Sequence, residues 1–257
     1  MNICINIQNE IYNNLNLKYQ IRWIQVSKYF NHNFQIKDLG FSKFDDKIIS
    51  NYPNITSLNI SYYNTVKNIA HLTNLKSLDC PYSNFTDDDI KNMNLTHLNI
   101  NNNAIIKNIS HLTNLKSLQC ALSQINNKQI KNLNLTSLNV NHNDKIKNIS
   151  HLINLKSLRC AGINSKIDDD QIKNLDLTHL TIDRNTKIKN ISHLTNLKVL
   201  CCRFNSSFND VHIKNLDLRE LYALENRNIN KIDHFKNLKK RVLTCEHFGK
   251  NVKLKKN

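Results

Sequence analysis

Residues 95–134 read LTHLNINNNAIIKNISHLTN followed by LKSLQCALSQINNKQIKNLN, two related segments of twenty residues each. In the first segment, Leu95, Leu98 and Ile100 stand at positions 1, 4 and 6, and polar residues stand at positions 3 and 5. Alternation of this kind predicts a short strand with one buried face. The second half of each segment lacks the alternation, so we expect it to return the chain to the start of the next strand.

The same pair of segments recurs from residue 55 onward. The segments begin at Ile55, Leu75, Leu95, Leu115, Leu135, Leu155, Leu177, Leu197, Leu218 and Leu238. Their period is twenty residues, lengthened by one or two in the segments from Leu155 and Leu197. A fixed period in this range is typical of a solenoid, in which each repeat stacks on the next.

The pattern LxxLxLxxN in these segments resembles that of the leucine-rich-repeat family, over roughly four-fifths of the chain. The resemblance implies an α/β solenoid with short parallel strands on a concave face and irregular or short helical segments on the convex side. Positions 1, 4 and 6 then point inward, and positions 3 and 5 are exposed on the concave face. Such a surface suits a protein partner better than a small metabolite.

Residues 1–50 do not follow the repeat. The spacing of their apolar residues predicts a small helical module instead. The stretch EIYNNLNLKYQIRWIQVSKYFN, residues 10–31, resembles the F-box in its order of residues. In F-box proteins this module docks on the Skp adaptor of cullin-based ubiquitin ligases. The resemblance implies an adaptor-facing set consisting of Ile11, Leu15, Leu17, Ile21 and Val26. Alternatively, the helices only cap the first coil of the solenoid, and the two roles are compatible.

The remaining boundaries follow from where the pattern begins and ends. Residues 41–54, FSKFDDKIISNYPN, look like the tail of a repeat without its strand. We assign residues 51–237 to the solenoid. Residues 238–257 lose the pattern and gain charge, so they predict a degenerate C-terminal capping repeat.

Two sets of chemically active side chains recur with the double repeat. Cys80, Cys120, Cys160 and Cys202 all occupy position 6, where cysteine serves as a small core residue, whereas Cys201 falls at position 5 and should be exposed. Cysteines two coils apart are about 9.6 Å from each other, too far for a disulfide or a shared zinc ion. The histidines of the HLTN-type segments should lie on the convex surface, and they are His71, His111, His151, His193 and His234.

Charged residues also follow the repeat. Asp87–Asp89 and Asp168–Asp170 precede short helical turns, so we interpret them as helix caps and not as metal ligands. Two stripes of lysine are expected to be solvated: Lys67, Lys107, Lys147 and Lys189 in one, and Lys76, Lys116, Lys156 and Lys198 in the other. The formal net charge of +16 raises nucleic acid as a partner, but no nucleic-acid motif accompanies it.

Glycine and proline are scarce, whereas asparagine is abundant and can replace glycine in left-handed turns. The abundance of Asn, Ile and Lys resembles the repeat proteins of giant DNA viruses or AT-rich protists. No signal peptide or membrane span is evident, which predicts a cytoplasmic protein, in the host cell if the protein is viral. No catalytic motif, cofactor site or metal signature is found, so we expect no enzymatic activity and no cofactor.

The concave positions are the best candidates for a binding site. In the first two-thirds of the solenoid they are small and polar, whereas the last third carries arginine and aromatic residues, which dominate protein interfaces. We assign partner binding to Arg159, His179, Arg203, Phe204, Glu220, Tyr222 and Glu225. The sequence therefore predicts an F-box-like substrate adaptor, with a plain repeat scaffold or a basic polyanion-binding protein as alternatives.

Overall fold

The computed structural model describes residues 38–39, 45–50, 53–60, 66–205, 207–226, 228–229 and 231–242. Within these residues, eleven parallel strands form a single sheet in which every strand pairs with its neighbours in sequence order. The strands are β1 Asp38–Leu39, β2 Ser57–Asn59, β3 Ser77–Asp79, β4 His97–Asn99, β5 Ser117–Gln119, β6 Ser137–Asn139, β7 Ser157–Arg159, β8 His179–Thr181, β9 Val199–Cys201, β10 Glu220–Tyr222 and β11 Lys240–Val242. The register is exact from coil to coil, with Leu98 opposite Leu118 and Leu118 opposite Leu138.

Short helices lie between alternate pairs of strands. They are α1 Asp46–Ser50, α2 Asp87–Ile90, α3 Asn127–Ile130, α4 Asp169–Ile172 and α5 Asp210–Ile213. Asp168 caps α4, since its side chain accepts a hydrogen bond from the Asp170 amide at 3.0 Å. The prediction of acidic helix caps is therefore confirmed at Asp168. Asp87–Asp89 do not precede α2 but form its first turn after the N-cap residue Thr86, and Asp89 completes the capping box by accepting from the Thr86 amide at 2.8 Å.

The first residue of each helix also joins neighbouring coils. Asp87 Oδ1 accepts hydrogen bonds from the amides of Lys107 and Asn108 at 2.7 and 2.9 Å. Asn127 makes the same pair of bonds to Lys147 and Asn148 in the next double repeat. These bonds satisfy backbone groups in segments that belong to no helix or strand, and they fix each helix against the following coil.

The core is a continuous stack of apolar side chains from positions 1, 4 and 6 and from the convex segments. Leu95, Leu98 and Ile100 are 0 to 2% exposed, and Cys80, Cys120, Cys160 and Cys202 are fully buried, so the predicted core positions are confirmed. Burial raises the pKa of each of these four thiols to about 12. Such thiols remain protonated and behave as small hydrophobic groups.

In several coils a buried asparagine at position 9 supplies hydrogen-bond partners that the backbone of the turn lacks, whereas the coils from Leu75 and Leu115 have buried serines there, Ser83 and Ser123. The Asn143 amide donates to the carbonyls of Cys120 and Ile125, both at 3.1 Å, and its oxygen accepts from the amides of Lys145 and Ile146. One side chain therefore satisfies four backbone groups in an interior that excludes water.

Position 8 adopts a left-handed conformation in each of eight successive coils. The residues are Tyr82, Asn102, Leu122, His142, Gly162, Arg184, Phe204 and Glu225. The expectation that asparagine supplies these turns holds only at Asn102, because the other seven positions hold other residues. Asparagine acts instead one position later, as a buried partner for the backbone.

The sheet extends further at its N-terminal end than the sequence pattern indicates. The segment around residues 41–54 does have a strand, since β1 pairs in parallel with β2 through Asp38 opposite Ser57. This corrects the expectation of a repeat tail without its strand. The strand escaped the pattern because pairing with a neighbouring edge requires backbone groups only. At the other end, β11 pairs with β10, within the segment assigned to the C-terminal cap.

Candidate functional site: the concave face and the turns after the strands

The concave face consists of two parallel rows of side chains, one at position 3 and one at position 5 of each strand. From β2 to β10 the row at position 3 contains Ser57, Ser77, His97, Ser117, Ser137, Ser157, His179, Val199 and Glu220. The row at position 5 contains Asn59, Asp79, Asn99, Gln119, Asn139, Arg159, Thr181, Cys201 and Tyr222. Side chains in one row are directly opposite each other in the strand register, so they lie about 4.8 Å apart.

In the first three of these strands, β2 to β4, the position 5 side chains bond to each other. The Asp79 carboxylate accepts from the Asn99 amide at 2.7 Å and from the Asn59 amide at 3.4 Å. Burial raises the pKa of the Asp79 carboxyl group, and the hydrogen bond from Asn99 opposes that shift. In β5 and β6, Gln119 accepts from the Asn101 side chain at 3.4 Å and Asn139 accepts from the Asn141 backbone amide at 3.0 Å, so the position 5 side chains of all five strands form hydrogen bonds within the protein.

From β7 onward, the residue types in the position 5 row differ from those of the earlier strands. Arg159 is exposed, and no ion pair engages it among the residues that the structure describes. The next strands add Thr181, the half-buried thiol of Cys201 and the half-buried ring of Tyr222. Burial also raises the pKa of the Cys201 thiol, so the exposure expected for this side chain is only partly found.

His179 contacts the residue directly before it in the chain. Its Nδ1 lies 2.9 Å from Thr178 Oγ1, and the Thr178 hydroxyl donates to the Lys156 carbonyl at 3.1 Å. The imidazole of His179 is an exposed polar group of the concave face. The same arrangement of Thr and His occurs at His97.

Glu220 and Tyr222 form a joined unit at the C-terminal end of the sheet. The Tyr222 hydroxyl donates to Glu220 Oε2 at 2.7 Å. The Lys240 ammonium lies 5.1 Å from the centre of the Tyr222 ring, within the range of a cation–π contact. The ring is therefore held in place before any partner binds.

Arg203, Phe204 and Glu225 lie in the turns that follow β9 and β10, and not on the strands themselves. Arg203 forms an ion pair with Asp183, with Nε and a terminal nitrogen at 2.8 and 2.6 Å from Oδ2. That hydrogen bond raises the pKa of the Arg203 guanidinium. The Arg184 guanidinium lies 4.7 Å from the centre of the Phe204 ring. Of the seven assigned partner-binding residues, the structure thus brings four together on the concave sheet and places three beside it.

The lysine stripe at position 2 differs along the solenoid. Lys156 and Lys198 form ion pairs with Asp176 and Asp217 at 2.5 and 2.8 Å. In the earlier coils the corresponding side chains, Lys76 and Lys116, reach only backbone carbonyls. This distinction was not predicted from the sequence, although the replacement of Asn by Asp before the strand could have indicated it.

The histidines of the convex side serve as backbone partners. His111, His151 and His193 each place Nε2 within 3.0 to 3.1 Å of the last carbonyl of a short helix in the preceding coil. Since a carbonyl can only accept, Nε2 donates in each case. Within the described residues, no group of three or more His, Cys, Asp or Glu side chains is arranged to hold a metal ion.

The predicted adaptor-binding module cannot be compared with the structure. The predicted adaptor-facing residues, Ile11, Leu15, Leu17, Ile21 and Val26, lie outside the described residues, as do the predicted N-terminal helices around them. Among the helices that are described, none has the length and apolar character needed to cross a bilayer.

Comparison with known proteins identifies the fold. No protein-family model matches the chain, and no curated protein matches it. An internalin, inlF, of Listeria monocytogenes str. 4b F2365 has a similar structure, with a TM-score of 0.56 and 24% identity over 78% of this chain and 64% of its own. The functional domain of InlJ from Listeria monocytogenes, which includes a cysteine ladder, has a TM-score of 0.53 and 20% identity over 82% of this chain and 50% of its own.

A third similar structure is that of TLR13 in complex with ssRNA13, with a TM-score of 0.51 and 19% identity over 81% of this chain. This chain covers only 36% of that protein, so it spans less than two-thirds of the length of each of the three neighbours. At these identities the likeness concerns the fold. The chain has the leucine-rich-repeat fold, as the sequence predicted.

Proposed function

We propose that this protein is a protein-interaction scaffold that holds its partner on the last strands of the concave face. The observation that carries the proposal is the change in the position 5 row, where hydrogen-bonded amides and one carboxylate give way to Arg159, Thr181, Cys201 and Tyr222. Arginine and tyrosine are the residue types that contribute most to protein interfaces, particularly when they are held in place before binding.

The test replaces the last strands with the residues that the earlier strands carry. The variant Arg159→Asn, His179→Ser, Tyr222→Asn uses residues already present at the same positions, so we expect it to fold. A matched control, His97→Ser, Asn99→Gln, Gln119→Asn, makes three changes in the earlier strands. Each immobilised chain is used to capture proteins from a lysate, and the captured proteins are quantified by mass spectrometry.

We expect a protein that is captured by the parent and by the control but is lost with the first variant. If both variants capture the same proteins as the parent, the last strands are not the binding surface. Capture that is lost equally with both variants would indicate that recognition extends along the whole face.

The finer form of the proposal makes the protein a substrate adaptor of a cullin-type ubiquitin ligase, with residues 1–50 holding a Skp adaptor. It rests on the sequence of residues 10–31 alone. The test is a pulldown of purified Skp adaptor by the full chain and by the double variant Ile21→Asp, Val26→Asp, with folding checked by circular dichroism. Absence of binding to the folded parent would leave a scaffold without a ligase link.

A cytoplasmic location is part of the same proposal, in the host cell if the protein is viral. Fluorescence imaging of the tagged full chain tests it directly. Retention in the secretory pathway would exclude access to a cytoplasmic ligase, although it would leave the scaffold proposal standing.

A further inference from the structure

Position 8 varies in every coil, although the strands beside it are nearly constant. In eight successive coils it holds eight different residues: Tyr82, Asn102, Leu122, His142, Gly162, Arg184, Phe204 and Glu225. Position 4, in contrast, is leucine in each of the same coils. The core fixes position 4 but leaves position 8 free to vary. A surface that differs from coil to coil can recognise an elongated partner in one register only.

Large apolar side chains are exposed on these turns in every second coil. Tyr82, Leu122 and Phe204 are 50, 54 and 45% exposed. In the middle of the three coils between those of Leu122 and Phe204, Gly162 makes room for His142, because a Cβ atom there would lie 2.7 Å from Nδ1 of that ring. Ile163 follows Gly162 directly and is 72% exposed. We call Tyr82, Leu122, Ile163 and Phe204 the apolar row.

The apolar row costs stability in two ways. Each of these side chains leaves apolar surface in water, and Tyr82, Leu122 and Phe204 also adopt left-handed backbone conformations, which cost roughly 1–2 kcal/mol in a residue with a Cβ atom. Asn102 and Gly162 show that the same turn accepts residues suited to it. The apolar row is therefore not explained by the folding of the turn.

The spacing of the apolar row is fixed by the sheet. Beyond the end of each strand, the amide at position 8 still donates to the next coil, as from Leu122 to the Asn141 carbonyl at 3.3 Å and from Phe204 to the Leu224 carbonyl at 2.8 Å. Neighbouring turns thus remain about 4.8 Å apart, so Tyr82 and Leu122, which are two coils apart, are about 9.6 Å from each other. In the coil of Ile163 the amide that donates to the next coil is that of Gly162, to the Asp183 carbonyl at 2.8 Å, and Ile163 lies one residue further along the turn.

We propose that the apolar row binds an extended proline-rich segment of a partner protein in the polyproline II conformation. That helix has three residues per turn and rises about 3.1 Å per residue, so every third side chain recurs on one face at about 9.3 Å. Over the three intervals of the row, the mismatch totals about 1 Å. In an α-helix, side chains on one face recur after seven residues at about 10.5 Å, so the mismatch with the row totals nearly 3 Å over the three intervals. In a β-strand, side chains on one face recur at about 6.7 Å, which does not match the spacing of the row.

The charges near the row favour an acidic peptide. The turns after β6 to β8 carry the exposed basic side chains Lys145, Lys166, Arg184 and Lys187. Asp144 is the exposed acid among these turns, whereas Asp183 already binds Arg203. Glutamate or aspartate between the apolar residues of the peptide would face this excess of positive charge.

The test measures binding of a fluorescent peptide consisting of Leu-Pro-Glu repeated four times, by fluorescence anisotropy with the full chain. Two other peptides serve as comparisons. One has the same composition in scrambled order, and the other is a helix-forming peptide of equal charge with leucine at every seventh residue. We expect saturable binding of the first peptide and at least about tenfold weaker binding of the other two.

Variants of the protein locate the site. The double variant Leu122→Asn, Phe204→Asn introduces the residue that Asn102 already provides at this position, so the turn conformation is retained. We expect its affinity for the peptide to fall about tenfold or more. The matched control Ile153→Asn, Val211→Asn removes two apolar side chains that are 65 and 63% exposed elsewhere on the solenoid. Its affinity should stay within about twofold of the parent.

Several outcomes would overturn the proposal. They are the absence of saturable binding, equal binding of the scrambled peptide, equal weakening by the two double variants, or tighter binding of the helical peptide. The scaffold proposal is tested at Arg159, His179 and Tyr222, none of which belongs to the apolar row. Any of these outcomes therefore leaves the scaffold proposal intact, and loss of the concave partner in that test leaves the apolar row intact.

Discussion

The concave strands before and after β7 share one backbone but present two different surfaces. In the earlier strands, Asp79 is bonded to Asn59 and Asn99, and Gln119 and Asn139 are bonded to residues of the turns. In the later strands, Arg159 is exposed and the Tyr222 hydroxyl donates to Glu220. A repeat array can thus change its surface in one region while its core remains the same, because the side chains at positions 3 and 5 are not part of the apolar core.

If the core is built in the same way in both regions, removing an equivalent buried side chain should lower the free energy of unfolding by the same amount in each. Asn143 and Asn185 both bond to backbone groups around the turn at position 9. We expect Asn143→Ala and Asn185→Ala each to lower the free energy of unfolding by about 3 kcal/mol, because several buried backbone groups lose their partner. Urea denaturation followed by circular dichroism measures this.

The control for that prediction is Asn154→Ala, since Asn154 is exposed and donates a single hydrogen bond to Asn134. Asn154→Ala should lower the free energy of unfolding by less than about 0.5 kcal/mol. A much smaller cost for Asn185→Ala than for Asn143→Ala would show that the two regions do not share one scaffold.

A second comparison concerns position 7, where one side chain accepts from the amide of the next coil. Asn141 Oδ1 accepts from Ala161, and Asp183 Oδ1 accepts from Arg203. Because the Asp183 carboxylate also binds the Arg203 guanidinium, Asp183→Ala should destabilise the protein by about 1 kcal/mol more than Asn141→Ala. Thermal unfolding of both variants measures the difference. Equal losses of stability in the two variants would mean that the ion pair adds nothing to the stability of the later region. Asp183→Asn removes the ion pair but keeps an oxygen that can accept from the Arg203 amide, so it separates the two contributions.

The two regions should also differ in how their carboxyl groups titrate. Burial raises the pKa of Asp79 above 3.8, whereas hydrogen bonds from Lys156 and Lys198 lower the pKa values of Asp176 and Asp217 below it. A group with a raised folded pKa destabilises the protein above that pKa, and the cost disappears as the pH falls through it. Asp176 and Asp217 instead stabilise the protein above pH 3.8, and this contribution is lost as the pH falls through their lowered pKa values.

Carbon-detected NMR titration of the aspartate carboxyl groups distinguishes these directions. Asp79→Asn should leave stability at neutral pH unchanged or slightly higher, because it removes a charge that burial disfavours. An Asp79 carboxyl group that titrates below Asp176 would contradict the difference between the regions.

The smallest expected effect concerns the lysine stripe. Lys116 has no carboxylate partner among the described residues, whereas Lys156 is paired with Asp176. If the protein binds a polyanion such as heparin, Lys116→Ala should weaken that binding and reduce its dependence on salt concentration by about one ion, and Lys156→Ala should have a smaller effect. Equal effects of the two variants, measured by titration at several salt concentrations, would remove the distinction.

Much of the fold could be predicted because the period and the inward positions depend on local alternation. The leucines at positions 1 and 4 and the cysteines at position 6 all lie in the core, as the spacing required. The function of asparagine was predicted less well. Its side chain suits several turn conformations, and only the neighbouring coil decides whether it adopts a left-handed backbone, as at Asn102, or bonds to buried carbonyls, as at Asn143.

Only part of the candidate site could be predicted, because the alternation of inward and outward residues holds within the strands and not in the turns. Arg159, His179, Glu220 and Tyr222 follow from strand alternation, whereas Arg203, Phe204 and Glu225 come after the strands, where the alternation no longer applies. The pairing of Arg203 with Asp183 joins residues twenty positions apart, so no local pattern reveals it.

By itself, the amino-acid sequence determined the solenoid, its period, its inward face and the change in composition near residue 159, because each of these depends on residues within one repeat. The tertiary structure alone decided which charges are paired, and that Tyr82, Leu122, Ile163 and Phe204 remain exposed in the turns that follow every second strand. These features depend on contacts between coils, and stacking brings together residues that the sequence keeps about twenty positions apart.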